Sequence, residues 1–394
     1  MTPRPPLAVD PRLVTEVLEA LVSIPSVNPA LVPGACGEGE VARYLAAACG
    51  RLGMTVTLEE VAPRRPNVIA VVPGTDPARG RSLMLNGHTD TVGTAGMEAP
   101  FAPAQRQNRL FGRGSVDMKG SLAAMVAAAA ALRDADLEPL GDVVFTFVVD
   151  EEHLSLGTAA IAATRRADAA IVTEPTGLQI CVAHKGFVWA TIRTEGRAAH
   201  GSKYETGVDA IAHMGRVLAA LERLDHEVLP QRTHPLLGRP SVHASIIQGG
   251  EGLSTYPPSC SLAIERRTLP DETAEGVEAE LHAVLASLGR ADPLFQASLE
   301  VTGVRPGLEV DRGAEIVQAL HRAYVDVRGS APAYVGQGAW FDAALLARAG
   351  LPTVIFGPSG DGAHAQVEYV DLPSVVTCAQ VLAHVIAGFC GAAP

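Results

Sequence analysis

The sequence predicts an α/β protein: a mixed-sheet domain interrupted by an inserted α+β domain of ferredoxin-like order. Three observations carry this. Short apolar, β-rich runs at 81–85, 143–149, 169–173 and 352–356 are interspersed with helical periodicity in the outer parts of the chain. The middle stretch, 185–301, reads β-α-β-β-α-β, the split βαβ pattern. The 394 residues are also enough for two or three domains. Residues 1–184 and 302–394 are therefore expected to form one domain and 185–301 a second, inserted one.

Composition narrows the function. Hydrophobic residues make up 47% and aromatics only 4%, which suits packed α/β layers. The formal charge is −12 with no basic block, which argues against nucleic acid or an anionic membrane as partner. A local arginine can still recruit an acidic small molecule. The first ten residues contain no apolar signal core. The apolar run 122–132 is too short to span a bilayer. Cys36, Cys49, Cys181, Cys260, Cys378 and Cys390 are scattered without a Cys-x-x-Cys pair, so neither a disulfide framework nor a thiolate metal site is expected. A cytoplasmic protein is the expectation.

In chain order, amphipathic helices are expected at 11–22 and 38–53. A proline-bounded loop, Ile24-Pro25-Ser26-Val27-Asn28-Pro29, separates them. Strands follow at 55–61 and 67–72. The strand 81–85 delivers His88 and Asp90, two residues apart and so on one side. A carboxylate there can fix the tautomer of a metal-binding imidazole. A buried histidine with a polar neighbour reads equally well from this stretch alone. The glycine-rich turn 112–120 feeds an Ala-rich helix, and its Asp117 suits a helix cap as well as a ligand. The turn's spacing fits no nucleotide-binding fingerprint. The strand 143–149 ends in Asp150-Glu151-Glu152, three acids that need solvent, partners or a cation. The strand 169–173 ends in Glu174, and 352–356 leads to His364. In the insertion, strands are expected at 186–194, 242–248, 260–268 and 296–301, with helices at 207–221 and 273–288. In open α/β sheets, sites form beyond the carboxyl ends of strands. Two histidines and several carboxylates falling there suit divalent cations, zinc above all.

Five motifs in order, Gly87-His88-Thr89-Asp90, the 112–120 turn, Asp150-Glu151-Glu152, Glu174-Pro175 and Gly362-Ala363-His364, resemble the di-zinc amidohydrolases. That family includes acetylornithine deacetylase, succinyl-diaminopimelate desuccinylase, aminoacylase and glutamate carboxypeptidase. The resemblance covers nearly the whole chain. It implies a zinc-exopeptidase-like catalytic domain whose insertion serves as lid and dimerisation domain. It implies two divalent cations, Zn2+ foremost with Co2+ or Mn2+ as alternatives. His88 and Glu174 would hold one and Glu152 and His364 the other. Asp117 would bridge them, with a cis peptide after it. Asp90 would orient His88. Glu151 would be the general acid/base for a metal-bridging water. His200 would donate to the oxyanion, and Arg267 would grip a substrate carboxylate, with Arg266 on the opposite face of its strand. Without the family, His200 reads as a surface histidine and Arg267 as a solvated one.

Ser254 stands where deacetylase-type members often carry Asn. With Gly336 and Gly357 it completes the expected substrate-binding set. Gly93 replaces a common proline, and Glu174 rather than Asp leans towards the deacetylase and desuccinylase branches. No second cationic pocket for a dicarboxylate acyl group is evident. The expected activity is hydrolysis of small N-acyl amino acids or related N-acyl carboxylates by a homodimer formed through the insertion. A carboxypeptidase or dipeptidase on short peptides is the enzymatic alternative. A non-catalytic metal-binding or ligand-binding protein is the other, against which the retention of Glu151 speaks.

Overall fold

A computed structural model describes residues 7–94 and 96–391. Met1–Pro6, part of the stretch read above as lacking a signal core, lie outside the described residues. The chain divides into two compact units. One gathers the described residues up to Val182, Val310–Val335 and those from Phe341 onward; the other comprises Ala183–Glu309 and Gly336–Trp340.

In the first unit a mixed sheet has the strand order Thr55–Ala62, Arg65–Val72, Val143–Val148, Leu83–His88, Ala169–Val172, Thr353–Ile355, Ile180–His184. The four strands from Val143–Val148 to Thr353–Ile355 run parallel, and antiparallel neighbours flank them. Leu83–His88 starts two residues later than expected and includes His88. Pairing to both neighbours begins only at Leu83. All six of its residues are buried. Helices form as expected near the N-terminus, at Pro11–Ser23 and Gly39–Arg51. The first is capped by the Asp10 carboxylate on Arg12 N–H, with proline opening the helix.

The helix Gly120–Asp134 is buried on all sides from Gly120 to Leu132 and packs against Leu372–Phe389, a helix the sequence reading passed over. By length and composition the stretches Ser115–Asp134 and Leu372–Phe389 could each cross a membrane, a longer apolar span than the run 122–132 suggested. Within the fold 94% and 67% of their apolar windows are buried, which is how core helices behave.

The second unit has strands Ser241–Gly249, Ser259–Thr268, Gly186–Glu195 and Gln296–Arg305 side by side, all antiparallel. Its helices are Ala210–Arg223 and Ala274–Ala291, capped by Asp209 and Thr273. The β-α-β-β-α-β order and this strand arrangement are ferredoxin-like, as expected. The unit extends past 185–301 because its last long strand runs to Arg305 and Leu308–Glu309 then pairs with Ala183 and His184. Along Ser259–Thr268 burial alternates strictly, so Arg266 is enclosed while Arg267 faces the other side.

Candidate metal centre

Four parallel strands place their carboxyl ends on one edge, and the chemistry collects there. His88 closes its strand; Asp150, Glu151 and Glu152 follow the next strand, and Glu174 follows the neighbour on the other side. His364 comes from the loop after Thr353–Ile355. Asp117 sits in the turn before Gly120–Asp134. Gly114 enters this turn with φ 78°, a left-handed conformation that suits glycine. The Asp117–Met118 peptide is cis, as the resemblance implied. Asp117 does not cap the helix: the cap position is Lys119, with no side-chain cap bond.

The Asp117 carboxylate lies between the two imidazoles. Its Oδ1 is 3.0 Å from His88 Nε2, and its Oδ2 is 3.3 Å from His364 Nε2. His88 Nε2 is also 3.7 Å from Glu174 Oε1, and His364 Nε2 is 3.0 Å from Glu152 Oε2. Each imidazole thus meets one Asp117 oxygen and one glutamate. The groups His88, Glu151, Glu174 and His88, Asp117, Glu152 each bring a ligand atom within 4.8 Å of one another. The other ring nitrogen of His88 turns to Asp90, 3.0 Å from its carbonyl and 3.6 Å from Oδ1.

Asp90 is also a hub. It accepts the backbone N–H of Glu151 at 3.1 Å and of Glu152 at 3.2 Å, and Asn28 Nδ2 at 2.8 Å. Asn28 donates onward to Asp150 at 3.0 Å, and Arg65 joins Asp150 at 2.9 Å and Glu38 at 2.5 Å. Asp150 is therefore fully buried and paired rather than solvated. Asn28 lies in the proline-bounded loop 24–29, and nothing in the sequence of that loop points to Asp90.

Electrostatically the edge is short of positive charge. Burial pushes the carboxyls of Glu151, Glu152 and Glu174 above their ordinary range, and neighbouring carboxylates push the same way, against the relief given by the imidazoles. Burial also raises Asp342 to about 6, tempered by the Thr158 and Ser155 hydroxyls. This carboxylate is 1% exposed, and among the described residues the Thr158 and Ser155 hydroxyls lie near it without closing a hydrogen bond. Asp117 differs: burial opposes its charge, but bonds to His364 and His88 outweigh that and hold it below the ordinary range. Bonds to Asp117 and Glu152 lift His364 to about 10. Imidazole and carboxylate donors converging with too few counter-charges fit a pair of divalent cations, hard to borderline in character.

Gly357, in the first unit, fills a close approach. A Cβ there would lie 2.2 Å from the Glu174 carbonyl, so the glycine lets Glu174 sit where it does. The second unit holds His200, Ser254, Arg267 and Gly336. His200 is exposed, its Nδ1 receiving Ser202 N–H at 3.2 Å. It pairs with Thr255, and Gly201 N–H donates to Ser254 O at 2.7 Å, so His200 and Ser254 are neighbours. Arg267 is partly exposed, bonded to Glu265 at 2.7 Å and lying over the Phe187 ring. Arg266 is wholly buried against Glu272 and Glu280. Gly336 lies against Leu236 and Leu237, where a Cβ would collide.

This fold and this donor set define a metal-dependent hydrolase with room for two divalent cations. The chain belongs to the peptidase family M20/M25/M40, whose pattern matches residues 84–388. It is 33% identical over 341 residues to an acetylornithine deacetylase of Myxococcus xanthus, covering 85% of this chain and 87% of that one. It is 28% identical over 410 residues to an N-formyl-4-amino-5-aminomethyl-2-methylpyrimidine deformylase of Halalkalibacterium halodurans, covering 95% of both. A dinuclear metal-binding peptidase of Bacillus subtilis shares the fold at TM-score 0.74 and 16% identity, over 95% of this chain and 97% of that one.

Proposed function

We propose that this enzyme cleaves the amide bond of small N-acyl amino acids or related N-acyl carboxylates. The observation that carries the reading is the placement of Asp117 between His88 and His364, with Glu151 close to His88 and Glu174. The two curated relatives, named a deacetylase and a deformylase, support removal of a small acyl group from an amine. His88 and Glu174 would hold one cation and Glu152 and His364 the other, with Asp117 shared. Zinc suits this mixed nitrogen and oxygen set, with cobalt or manganese as substitutes. Bound there, the pair would acidify a water and polarise the scissile carbonyl.

The chain's own residues do the rest. Glu151, ionised once the cations offset the burial that otherwise favours its protonated form, would take the water's proton and return it to the departing amine. That return matters because an unprotonated amide nitrogen leaves poorly. Asp90 keeps the His88 ring turned and fixes the backbone of Glu151 and Glu152. In the second unit, Arg267, partly exposed, would bind the substrate carboxylate, Arg266 being wholly buried. His200 would donate to the developing oxyanion, with Ser254 beside it.

We assign the second unit the role of lid and dimerisation domain. Its edge strand Ser241–Gly249 exposes Ile246 at 60% and Ile247 at 51%, an unpaired edge that a second copy would cover. Six free cysteines fit a reducing, cytoplasmic setting. A panel of N-acetyl and N-formyl amino acids against dipeptides and tripeptides tests the substrate reading. Turnover of acyl amino acids above peptides is expected. The reverse order would replace the deacylase with a peptidase on short peptides.

A further inference from the structure

We propose that Glu368, clasped by Arg113, is a positioning residue that holds the loops of Asp117 and His364 at the spacing needed to load the cation pair. This rests on the ligand assignment given above. Glu368 follows His364 by four residues and is 1% exposed. Its Oε2 accepts Arg113 Nη1 at 2.6 Å and Gly114 N–H at 2.9 Å. Its Oε1 accepts Val116 N–H at 3.0 Å and Asp117 N–H at 3.2 Å. One carboxylate therefore gathers three backbone amides of the turn that presents Asp117. The backbone carbonyl of Glu368 takes a fourth, from Gly112, at 3.2 Å.

Arg113, 2% exposed, extends the clasp in two further directions. Its Nη2 donates to Ala365 O at 2.9 Å, one residue past His364, and its Nε to Gly93 O at 3.2 Å, three residues past Asp90. The pair thus ties together the segments after His88, around Asp117 and after His364. A buried ion pair is poor evidence of stability, since a hydrocarbon pair of the same volume often does as well. A hydrocarbon could not receive four donors, however. Sites of this kind need their ligands held within ~0.5 Å, and loops achieve that only through supporting hydrogen bonds. Replacing the carboxylate by an amide of the same shape turns one acceptor into a donor. That donor must face either the Arg113 and Gly114 pair or the Val116 and Asp117 pair, so half of the clasp becomes repulsive.

The test is zinc binding to the purified full chain, read by competition with a chromophoric chelator, alongside the metal-free melting temperature. Glu368→Gln is expected to weaken zinc binding by about 10- to 100-fold, the range for supporting partners of metal ligands. Leu45→Ala, a fully buried residue of the helix Gly39–Arg51, provides a control for lost stability alone and should leave zinc affinity unchanged. Arg113→Lys keeps the charge but loses the fork, and should fall between wild type and Glu368→Gln. It also stands in should the glutamine variant not fold. Wild-type affinity and stoichiometry in Glu368→Gln, or an equal loss of affinity in Leu45→Ala, overturns the proposal. Asp117→Asn separates the two claims. If it loses zinc while Glu368→Gln does not, the clasp alone is wrong; if it binds two zinc ions as wild type does, the ligand assignment is wrong.

Discussion

Arg266 in the inserted unit and the acids at the sheet edge of the other unit are both buried charge, handled in opposite ways. Arg266 is wholly enclosed, yet Glu272 and Glu280 both meet it, and Arg232 meets both glutamates again. Two cations face two anions, and the network closes on itself. At the sheet edge, Asp117, Glu151, Glu152, Glu174 and Asp342 gather around two histidines. Leaving ionised groups underpaired in the interior costs several kcal/mol each. The contrast separates a structural tie from a binding site: the first carries its counter-charge in the sequence, the second takes it from solution.

The contrast can be broken most drastically by removing that external charge. Exhaustive chelation should abolish turnover, and re-addition of zinc or cobalt should restore it; activity in fully stripped protein would count against the centre. Glu151→Gln should retain wild-type metal content while kcat drops by ~10²–10⁴, the usual share of a general acid/base. Unchanged turnover would remove Glu151 from its role. His200→Ala should lower kcat by ~10²–10³ with KM nearly kept, as loss of one oxyanion donor does.

In the inserted unit, Arg266→Ala leaves the partly buried Glu272 and Glu280 to Arg232 alone and should cost up to ~3–5 kcal/mol in denaturant unfolding, without changing metal content. The smallest effect concerns pH. In metal-free protein, Glu151, Glu152 and Glu174 keep protons in the fold beyond their ordinary 4.5, so stability falls as pH rises above that value. His364, raised to about 10 from 6.5, contributes stability fully below 6.5 and loses it as pH rises through 10. These groups should therefore pull the metal-free melting temperature down between pH 5 and 10, against Lys119 and His184, whose burial favours the neutral form and adds stability as pH rises. Glu174→Gln should make the decline shallower than in wild type; an unchanged profile in that variant would show that the acids are balanced after all.

Much of this was legible in sequence because it is periodic or sits at a punctuation point. Short apolar strands marked the parallel core, and each ligand-bearing residue except Asp117 followed one directly or by a short loop. The ferredoxin-like order of the insertion came from the same periodicities. What escaped is what depends on distant partners. Asn28 meets Asp90 across 62 residues, and Glu368 meets Gly114 across 254, with nothing local to announce either. Asp342 stands at the start of the helix Ala343–Arg348, where an aspartate ordinarily caps, yet its side chain makes no cap bond. The helix Leu372–Phe389 is apolar on most sides, so it lacks the one-sided periodicity by which a surface helix is read.

His364 follows Glu152 by 212 residues, and the clasp at Glu368 comes later still. On a ribosome adding 5–20 residues per second, ~10–40 s separate the two. Throughout that interval the nascent chain has most of its cation donors and none of the histidine that closes the set. A stray ion captured then would meet a half-built cage, and correct loading falls to the finished polypeptide.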